Sequence, residues 1–314
     1  MKYWQKKELY AKLAALFGGN KSRRRQIRDN IRFKNLISSV GKYDFPIVAP
    51  KDRVNIAFCF NGHGAGLAMV AIYSLLKSSC GRCLYNIYLV VDETVTPDLR
   101  KKIKSIAAAW HANVEFLEAN NDFDKSNKRN WPRAVWYRMM LVKLLPNIDN
   151  IIYADIDTIF FRDLYELSRI DMGDNILAGV IERPTGYINS GVLVMNLKQI
   201  RKEGLYKKWI SMTQQNDYPN PDQDVLNITA DGRIIYLPVR YNFQSMLGKR
   251  LFQMNDEDAI KDLKNNLVVM HYSNWMKPWY DKSLRPIFWQ YWWMFADDIK
   301  DKYGLPPFPQ TKNG

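Results

Sequence analysis

Cysteine is scarce here, three in 314 residues, which is too few for a disulfide framework. Two of them form the lone motif Cys80-Gly81-Arg82-Cys83, with no second pair and no cluster of about four ligands for zinc. The pair reads as two small, semi-buried thiols in a reducing compartment rather than a redox centre. Long apolar runs are also missing. No stretch approaches the roughly 18–20 residues of a spanning helix. Leu13–Phe17 is too short, and too charged at its flanks, for the core of a secretory signal. The expectation is a chain that stays in the cytosol, or lies on a membrane rather than in it. Internal repeats and low-complexity tracts are absent as well.

Acidic residues are under-represented: 32 Asp and Glu face 46 Lys and Arg, a formal charge of +14. Such an excess suits a polyanionic partner, whether nucleic acid, an anionic membrane or a phosphorylated substrate. It is unevenly spread. Residues 1–53 hold 14 basic and 4 acidic residues, and the rest of the chain is nearly neutral with 32 against 28. A composition of 47% apolar and 25% charged residues otherwise describes an ordinary globular protein with a sizeable core.

The basic extension, residues 1–53, reads as helical. Leu9, Leu13, Leu16 and Phe17 make one apolar stripe, and Lys2, Lys6, Lys7 and Lys12 surround it. Two readings stand: a solvated helical arm, or an interfacial element with its stripe in lipid and its lysines on lipid phosphates. From Val54 the pattern changes. Strands are expected at 54–60, 85–91 and 114–117 and within 150–161. They alternate with helices at 67–76, from Pro97 to Trp110, and at 133–145, the last halted by Pro146. That alternation predicts an α/β domain with parallel pairing. Further strands are expected at 176–181, 191–196, 234–238 and 267–271, and a helix at 205–213.

Three places carry chemistry. The first is Asn61-Gly62-His63-Gly64-Ala65-Gly66, between a strand and a helix, where free amides can meet an anion. It lacks the patterns of a dinucleotide fingerprint or a P-loop. It is either a nucleotide contact of another kind or a tight turn. The second is Asp155-Ile156-Asp157. Other such spacings occur in the chain, but here two acids interrupt an apolar strand. Read as strand, both carboxylates emerge on one side and Ile156 points into the core. Adjacent like charges in apolar surroundings are costly unless neutralised, and oxygen ligands favour Mg²⁺ or Mn²⁺. A cation held there suits a diphosphate leaving group, as in sugar transfer or nucleotidyl transfer. The third is the segment from His271 to Lys277-Pro278. A strand-end imidazole could complete a metal sphere, and a lysine could meet a phosphate.

Four segments together, in this order, resemble glycosyltransferase family 8. They are Asp155-Ile156-Asp157, the run from Tyr187 through Asn189-Ser190-Gly191 to Leu197, Asp222-Gln223-Asp224-Val225-Leu226-Asn227, and His271 through Lys277-Pro278-Trp279. This retaining family includes bacterial lipopolysaccharide galactosyl- and glucosyltransferases and, more distantly, glycogenin. The resemblance covers roughly residues 54–280. It implies a GT-A fold, a UDP-hexose donor and Mn²⁺, with Mg²⁺ as the alternative. It also implies Asp155, Asp157 and His271 as metal ligands, Lys277 as a diphosphate contact and Arg138 against the donor. Asn189 and Asp222 would hold the transferred sugar, and Gln223 would face the anomeric carbon. An acid that usually ends the first strand is replaced by Asn61, with His63 and Gly64 after it. Asn61 and His63 are thus expected to contact the base. A glycine usual near the phosphates is replaced by Asn274.

Retention then needs no protein nucleophile, because the acceptor hydroxyl attacks from the face the diphosphate leaves. Asp222 is the less favoured alternative nucleophile. The tail, residues 281–314, is aromatic. Five of the ten tryptophans lie from Trp275 to Trp293, and Phe288, Trp292, Phe295 and Ile299 fall on one helical stripe. That stripe either packs on the domain or rests on lipid headgroups. Basic and aromatic ends favour an enzyme peripheral on the cytoplasmic face of the inner membrane, with a lipid-borne saccharide acceptor. Nucleic acid is not expected as a partner, because the body is nearly neutral and no RNA-binding motif is present. A sugar nucleotidyltransferase is disfavoured because the first glycine loop has no Lys or Arg.

Overall fold

The apolar run after Arg53 forms a strand at the heart of a sheet. The computed structural model describes residues 53–79, 83–183, 185–244, 251, 255–273, 277–280 and 288–308. The expected basic arm lies outside the described residues apart from Arg53. So do Cys80, Asn274, and residues 281–287 and 309–314 of the expected tail. Cys83 is buried, and burial pushes its thiol up to about 11, the state of an unreactive cysteine.

β1 (Arg53–Cys59) pairs in parallel with β2 (Leu84–Val91) on one side and β4 (Asn150–Ala154) on the other. β3 (Asn113–Glu118) extends the parallel part at the edge. Parallel neighbours need crossovers. These are α1 (Ala65–Ser79), α2 (Pro97–Ala108) and α3 (Tyr137–Leu144). Thr96 caps α2 through its side chain, and Pro97 occupies its first turn. Beyond β4 the sheet continues with β7 (Ile188–Asn196), β6 (Leu177–Ile181) and β8 (Ile234–Tyr236), in the order β3-β2-β1-β4-β7-β6-β8. β7 runs antiparallel to both β4 and β6. The expected α/β class is the one observed. Further helices follow: α4 (Tyr165–Ser168), α5 (Leu197–Lys202), α6 (Leu205–Gln215), α7 (Pro221–Thr229) and α8 (Glu257–Asn266).

Two local expectations change. The segment 150–161 is not one strand. β4 stops at Ala154, and β5 (Thr158–Phe160) belongs to a second sheet with β9 (Phe243–Gln244) and β10 (Val269–His271), in the order β5-β10-β9. Asp155-Ile156-Asp157 is the turn between the sheets. Its backbone is satisfied without strand pairing: Asp155 N donates to Gly191 O (2.8 Å), Tyr272 N to Asp157 O (2.9 Å), and Thr158 Oγ1 to Asp155 O (2.7 Å). The argument from strand alternation therefore does not apply. Ile156 is only half-buried and packs toward Gly64.

The second change concerns the tail. α9 (Trp289–Tyr303) buries Trp292, Phe295 and Ile299, and it packs on α1. Tyr73 meets Phe295 edge to face. Phe288, expected as the first member of the stripe, instead precedes the helix with φ 62°, its ring against Phe161 and Phe243. Tyr291 and Met294 remain exposed.

Candidate active site

At the carboxyl ends of β1 and β4 opens a cavity of about 500 Å³, the place where open α/β sheets bind ligands. Asn61, Arg138, Asp155, Asp157, Asn189, Asp222, Gln223, His271 and Lys277 all line it. The structure does not bring His63 there. His63 is exposed in a 3-10 turn (Gly62–Gly64) and is not among the lining residues. Asn61 lines the cavity, and its Oδ1 accepts from Gly64 N (3.2 Å). Gly62 N donates to Thr94 Oγ1 (2.7 Å). Two amides of the glycine loop thus serve the turn. A Cβ on Gly62 would sit 2.4 Å from Thr94 O, and one on Gly64 2.6 Å from Ile156 Cδ1, so close packing is what requires these glycines.

Asp155, Asp157 and His271 offer ligand atoms that all lie within 4.8 Å of one another. The turn brings the carboxylates together, and β10, antiparallel to β5, brings His271 opposite Thr158. His271 Nε2 is 3.2 Å from Asp157 Oδ1 and 3.7 Å from Asp155 Oδ2. A chain of hydrogen bonds sets the imidazole. Gly191 N donates to Asn189 Oδ1 (2.9 Å), which also accepts from Asn242 Nδ2 (2.9 Å). The backbone donor identifies the Asn189 oxygen, and that orients Asn242. Asn242 Oδ1 therefore faces His271 Nδ1 at 3.0 Å, so Nδ1 carries the proton and the lone pair of Nε2 points at the two acids.

The site fits a divalent cation. Among the described residues no hydrogen-bond donor reaches the buried Asp157 Oδ1, an acceptor that a cation would satisfy. Gly191 leaves the necessary room, since a Cβ there would lie 2.0 Å from His271 Cε1 and 2.9 Å from Asp155 Oδ2. Two carboxylates and one neutral imidazole suit Mg²⁺ or Mn²⁺. Lys277 Nζ lies 2.6 Å from Asp157 Oδ2 and also donates to Tyr272 O. Burial works to raise the Asp157 carboxyl, but its neighbours Lys277 and His271, the charge of Lys277 first among their effects, outweigh it and hold that carboxyl far below the ordinary range.

Arg138 lies in the cavity floor, on the first turn of α3. Its Nη2 donates to Asp155 Oδ1 (2.7 Å), its Nη1 to Ser190 O (2.7 Å), and its Nε is 3.1 Å from Asp222 Oδ2. The guanidinium stacks 4.4 Å from the centre of the Tyr153 ring, whose hydroxyl donates to Asp155 Oδ1 (2.5 Å). Arg138 is thus a strut behind the acids as well as a lining residue. Burial opposes its charge, yet Asp155 and Asp222 raise its pKa further. Burial raises the Asp222 carboxyl, and Arg138 offsets part of that effect.

Asp222 and Gln223 stand in the first turn of α7, which begins at Pro221. The sequence pattern alone predicts no helix at this segment. Proline at its start and acids in its first turn are the favoured chemistry for a helix N-terminus. Gln223 Oε1 accepts from Ser190 N (2.8 Å) and Asn189 Nδ2 (3.2 Å), and its Nε2 donates to Glu182 Oε2 (2.9 Å). Sequence reasoning missed Glu182 and Asn242. Glu182 follows the apolar strand β6, the same signal that singled out Asp155. Asn242, between Tyr241 and Phe243, carries no comparable signal.

The sequence model of Glycosyl transferase family 8 matches residues 55–283. Lipopolysaccharide 1,2-glucosyltransferase of Escherichia coli K12 is 23% identical over 273 residues, 80% of each chain. Lipopolysaccharide glucosyltransferase WaaO of the same organism is 24% identical over 271 residues, 78% of each chain. A crystal structure of the galactosyltransferase LgtC with donor and acceptor sugar analogs superposes with a TM-score of 0.66 at 23% identity. The match covers 78% of this chain and 96% of that one, and the GT-A fold expected from the resemblance is the fold they share.

Proposed function

The chain belongs to glycosyl transferase family 8 and is a glycosyltransferase; from that premise we propose that it moves galactose or glucose from a UDP-sugar to a saccharide acceptor, with retention of anomeric configuration. The relatives named for lipopolysaccharide glucosyltransferase activity support a lipopolysaccharide or lipooligosaccharide acceptor. The observation that carries the reading is one cavity holding both a metal-type trio, Asp155, Asp157 and His271, and a sugar-type trio, Asn189, Asp222 and Gln223.

Asp155, Asp157 and His271 would hold Mn²⁺ or Mg²⁺. When bound, that cation would supply electrophilic stabilisation of the departing diphosphate. Lys277 adds a second positive charge on the same side, beside Asp157. Asn189 and Asp222 present donors and acceptors suited to sugar hydroxyls. Gln223, its amide fixed at both ends, faces the anomeric carbon as it gains positive character. The acceptor hydroxyl attacks from the face that the diphosphate leaves, and its proton passes to the leaving phosphate. Asp222 is the less favoured nucleophile; Arg138 and Ser190 engage its Oδ2 and tie it to the cavity wall. Asn61 is the base-contacting residue.

No helix among the described residues is long and apolar enough to cross a membrane. The basic residues 1–53 and the exposed Tyr291 and Met294 of α9 support attachment to an anionic membrane surface, on the cytoplasmic face. The test is a donor panel measuring Mn²⁺-dependent hydrolysis and binding of UDP-galactose, UDP-glucose and their N-acetylated analogues. Turnover of one hexose donor is expected. Neither binding nor hydrolysis of any of them would overturn the reading.

A further inference from the structure

Trp131 contrasts with Trp136, Trp209 and Trp292. Those three are fully buried, whereas Trp131 is 46% exposed. It nevertheless lines the same cavity as Asp155 and Gln223. We propose that Trp131 is the stacking platform of an acceptor subsite, taking the apolar C–H face of a pyranose ring. The proposal rests on the glycosyltransferase reading above and assigns where the second sugar sits.

The indole is exposed, and the backbone that carries it is firmly held. Trp131 N donates to Lys128 O (2.9 Å), and Lys128 Nζ returns to Trp131 O (3.1 Å). Just before it, Asn127 N donates to Thr213 O (2.9 Å) and Ser126 pairs with Thr213 through their hydroxyls (2.7 Å). Arg129 grips Asp217 with two hydrogen bonds (2.6 and 2.8 Å). Pro132 follows. A backbone fixed before binding leaves only the side-chain torsions to be ordered when a ligand arrives, and an aromatic side chain has just two.

Position selects the ligand. Arg138, buried in the cavity, pairs with Asp222, and the chain just before it places the exposed Trp131 in the same lining. The Arg129–Asp217 clamp fixes this wall to the segment that leads into Asn220 and then Asp222 and Gln223. Asn220 also lines the cavity. Trp131 thus shares the cavity with the sugar-type residues Asp222 and Gln223 while keeping nearly half of its surface open to solvent, a place that a second saccharide can reach. An exposed indole at the mouth of a polar cavity needs a partner with one apolar and one hydroxyl-bearing face, and a pyranose ring has both.

The experiment uses the full chain with Trp131→Ala and Trp131→Phe. Lactose, methyl β-galactopyranoside and methyl β-glucopyranoside serve as probes in saturation-transfer NMR, and UDP affinity is followed by calorimetry with Mn²⁺. At least one sugar should bind the wild type in the presence of UDP. Trp131→Ala should weaken it about tenfold, equivalent to ~1.4 kcal/mol, while Trp131→Phe retains most of the binding. Equal sugar binding by wild type and Trp131→Ala, or no sugar bound by the wild type, would overturn the assignment. So would a loss in Trp131→Ala that falls on UDP and spares the sugar. If the wild type hydrolyses a UDP-hexose while the sugar arms fail, only the subsite is wrong. If it neither binds nor hydrolyses any donor, the enzyme reading itself fails.

Discussion

His271 Nδ1 and Asn242 Oδ1 lie 3.0 Å apart in a fully enclosed pair, and this contact decides which face of the imidazole meets the carboxylates. The decision begins in the backbone, at Gly191 N, and passes through Asn189 and Asn242. Asn242→Ala removes the acceptor that keeps the proton on Nδ1. Mn²⁺ affinity, measured by calorimetry in the absence of donor, should fall about 10- to 100-fold. An unchanged affinity with an intact fold would mean that the relay does not orient His271.

Gly191 is the other end of that relay and also its spacer. Gly191→Ala places a methyl 2.0 Å from His271 Cε1, and both residues sit in buried strands. The overlap should cost about 1–3 kcal/mol in stability, read as a lower Tm. Mn²⁺-dependent donor binding should be lost while the variant is still folded. A variant that binds Mn²⁺ as wild type does would place the ligands elsewhere.

Gln223 is expected to act on the transferred sugar rather than to hold the nucleotide. Gln223→Ala should lower kcat ~100-fold, the scale of one lost stabilising contact in a transition state, with donor KM near the wild-type value. Ser190 N would lose its 2.8 Å acceptor, so a stability loss of about 1–3 kcal/mol should accompany it. Wild-type kcat would remove Gln223 from the reaction.

The parallel strands and their crossover helices were legible because apolar periodicity and turn residues announce them. Much of the cavity was legible too, since acids and an imidazole at strand ends violate that periodicity. What the sequence hid is tertiary. The turn at Asp155-Ile156-Asp157 depends on a second sheet supplied by β9 and β10, which lie far along the chain. Its neighbours on both sides are apolar, so the local pattern reads as one continuous strand. Arg138 is expected as a donor contact, and the structure adds a strut: its hydrogen-bond and ion-pair partners come from β7, α7 and the turn, which no local spacing reveals. Asn242 has meaning only through His271 and Asn189. His63 fell where a base contact was expected, yet the 3-10 turn leaves it exposed.

Asp298 tests how α9 is held. Its carboxylate pairs with Lys77 at the end of α1 and accepts from Tyr73 Oη. The hydrogen bond to Lys77 lowers the Asp298 pKa, and the same bond raises that of Lys77. A depressed acid contributes stability above its unfolded value, near pH 4, and loses it as pH falls through the folded value. A raised lysine contributes below its unfolded value, near pH 10, and loses it as pH rises further. Both groups are more than a third exposed, so Asp298→Asn should cost only about 0.2–1 kcal/mol at neutral pH. The Tm gap between wild type and variant should close below about pH 4. A gap that persists at pH 2 would show that the effect is not this ion pair.

Membrane attachment has to be tested without removing α9. The helix covers α1 with Trp292, Phe295 and Ile299, and Trp293 Nε1 donates to Pro278 O (2.9 Å), next to Lys277. Deleting residues 280–314 would strip the core and disturb the site together. The exposed Met294 can be changed alone, whereas Tyr291 packs edge to face on Phe161 and Phe288. Met294→Gln should leave Tm nearly unchanged, as surface substitutions do. It should also reduce flotation with phosphatidylglycerol vesicles, and loss of residues 1–50 should reduce it further by removing the basic excess. Flotation that persists undiminished in both variants would place the contact with anionic lipid on another surface.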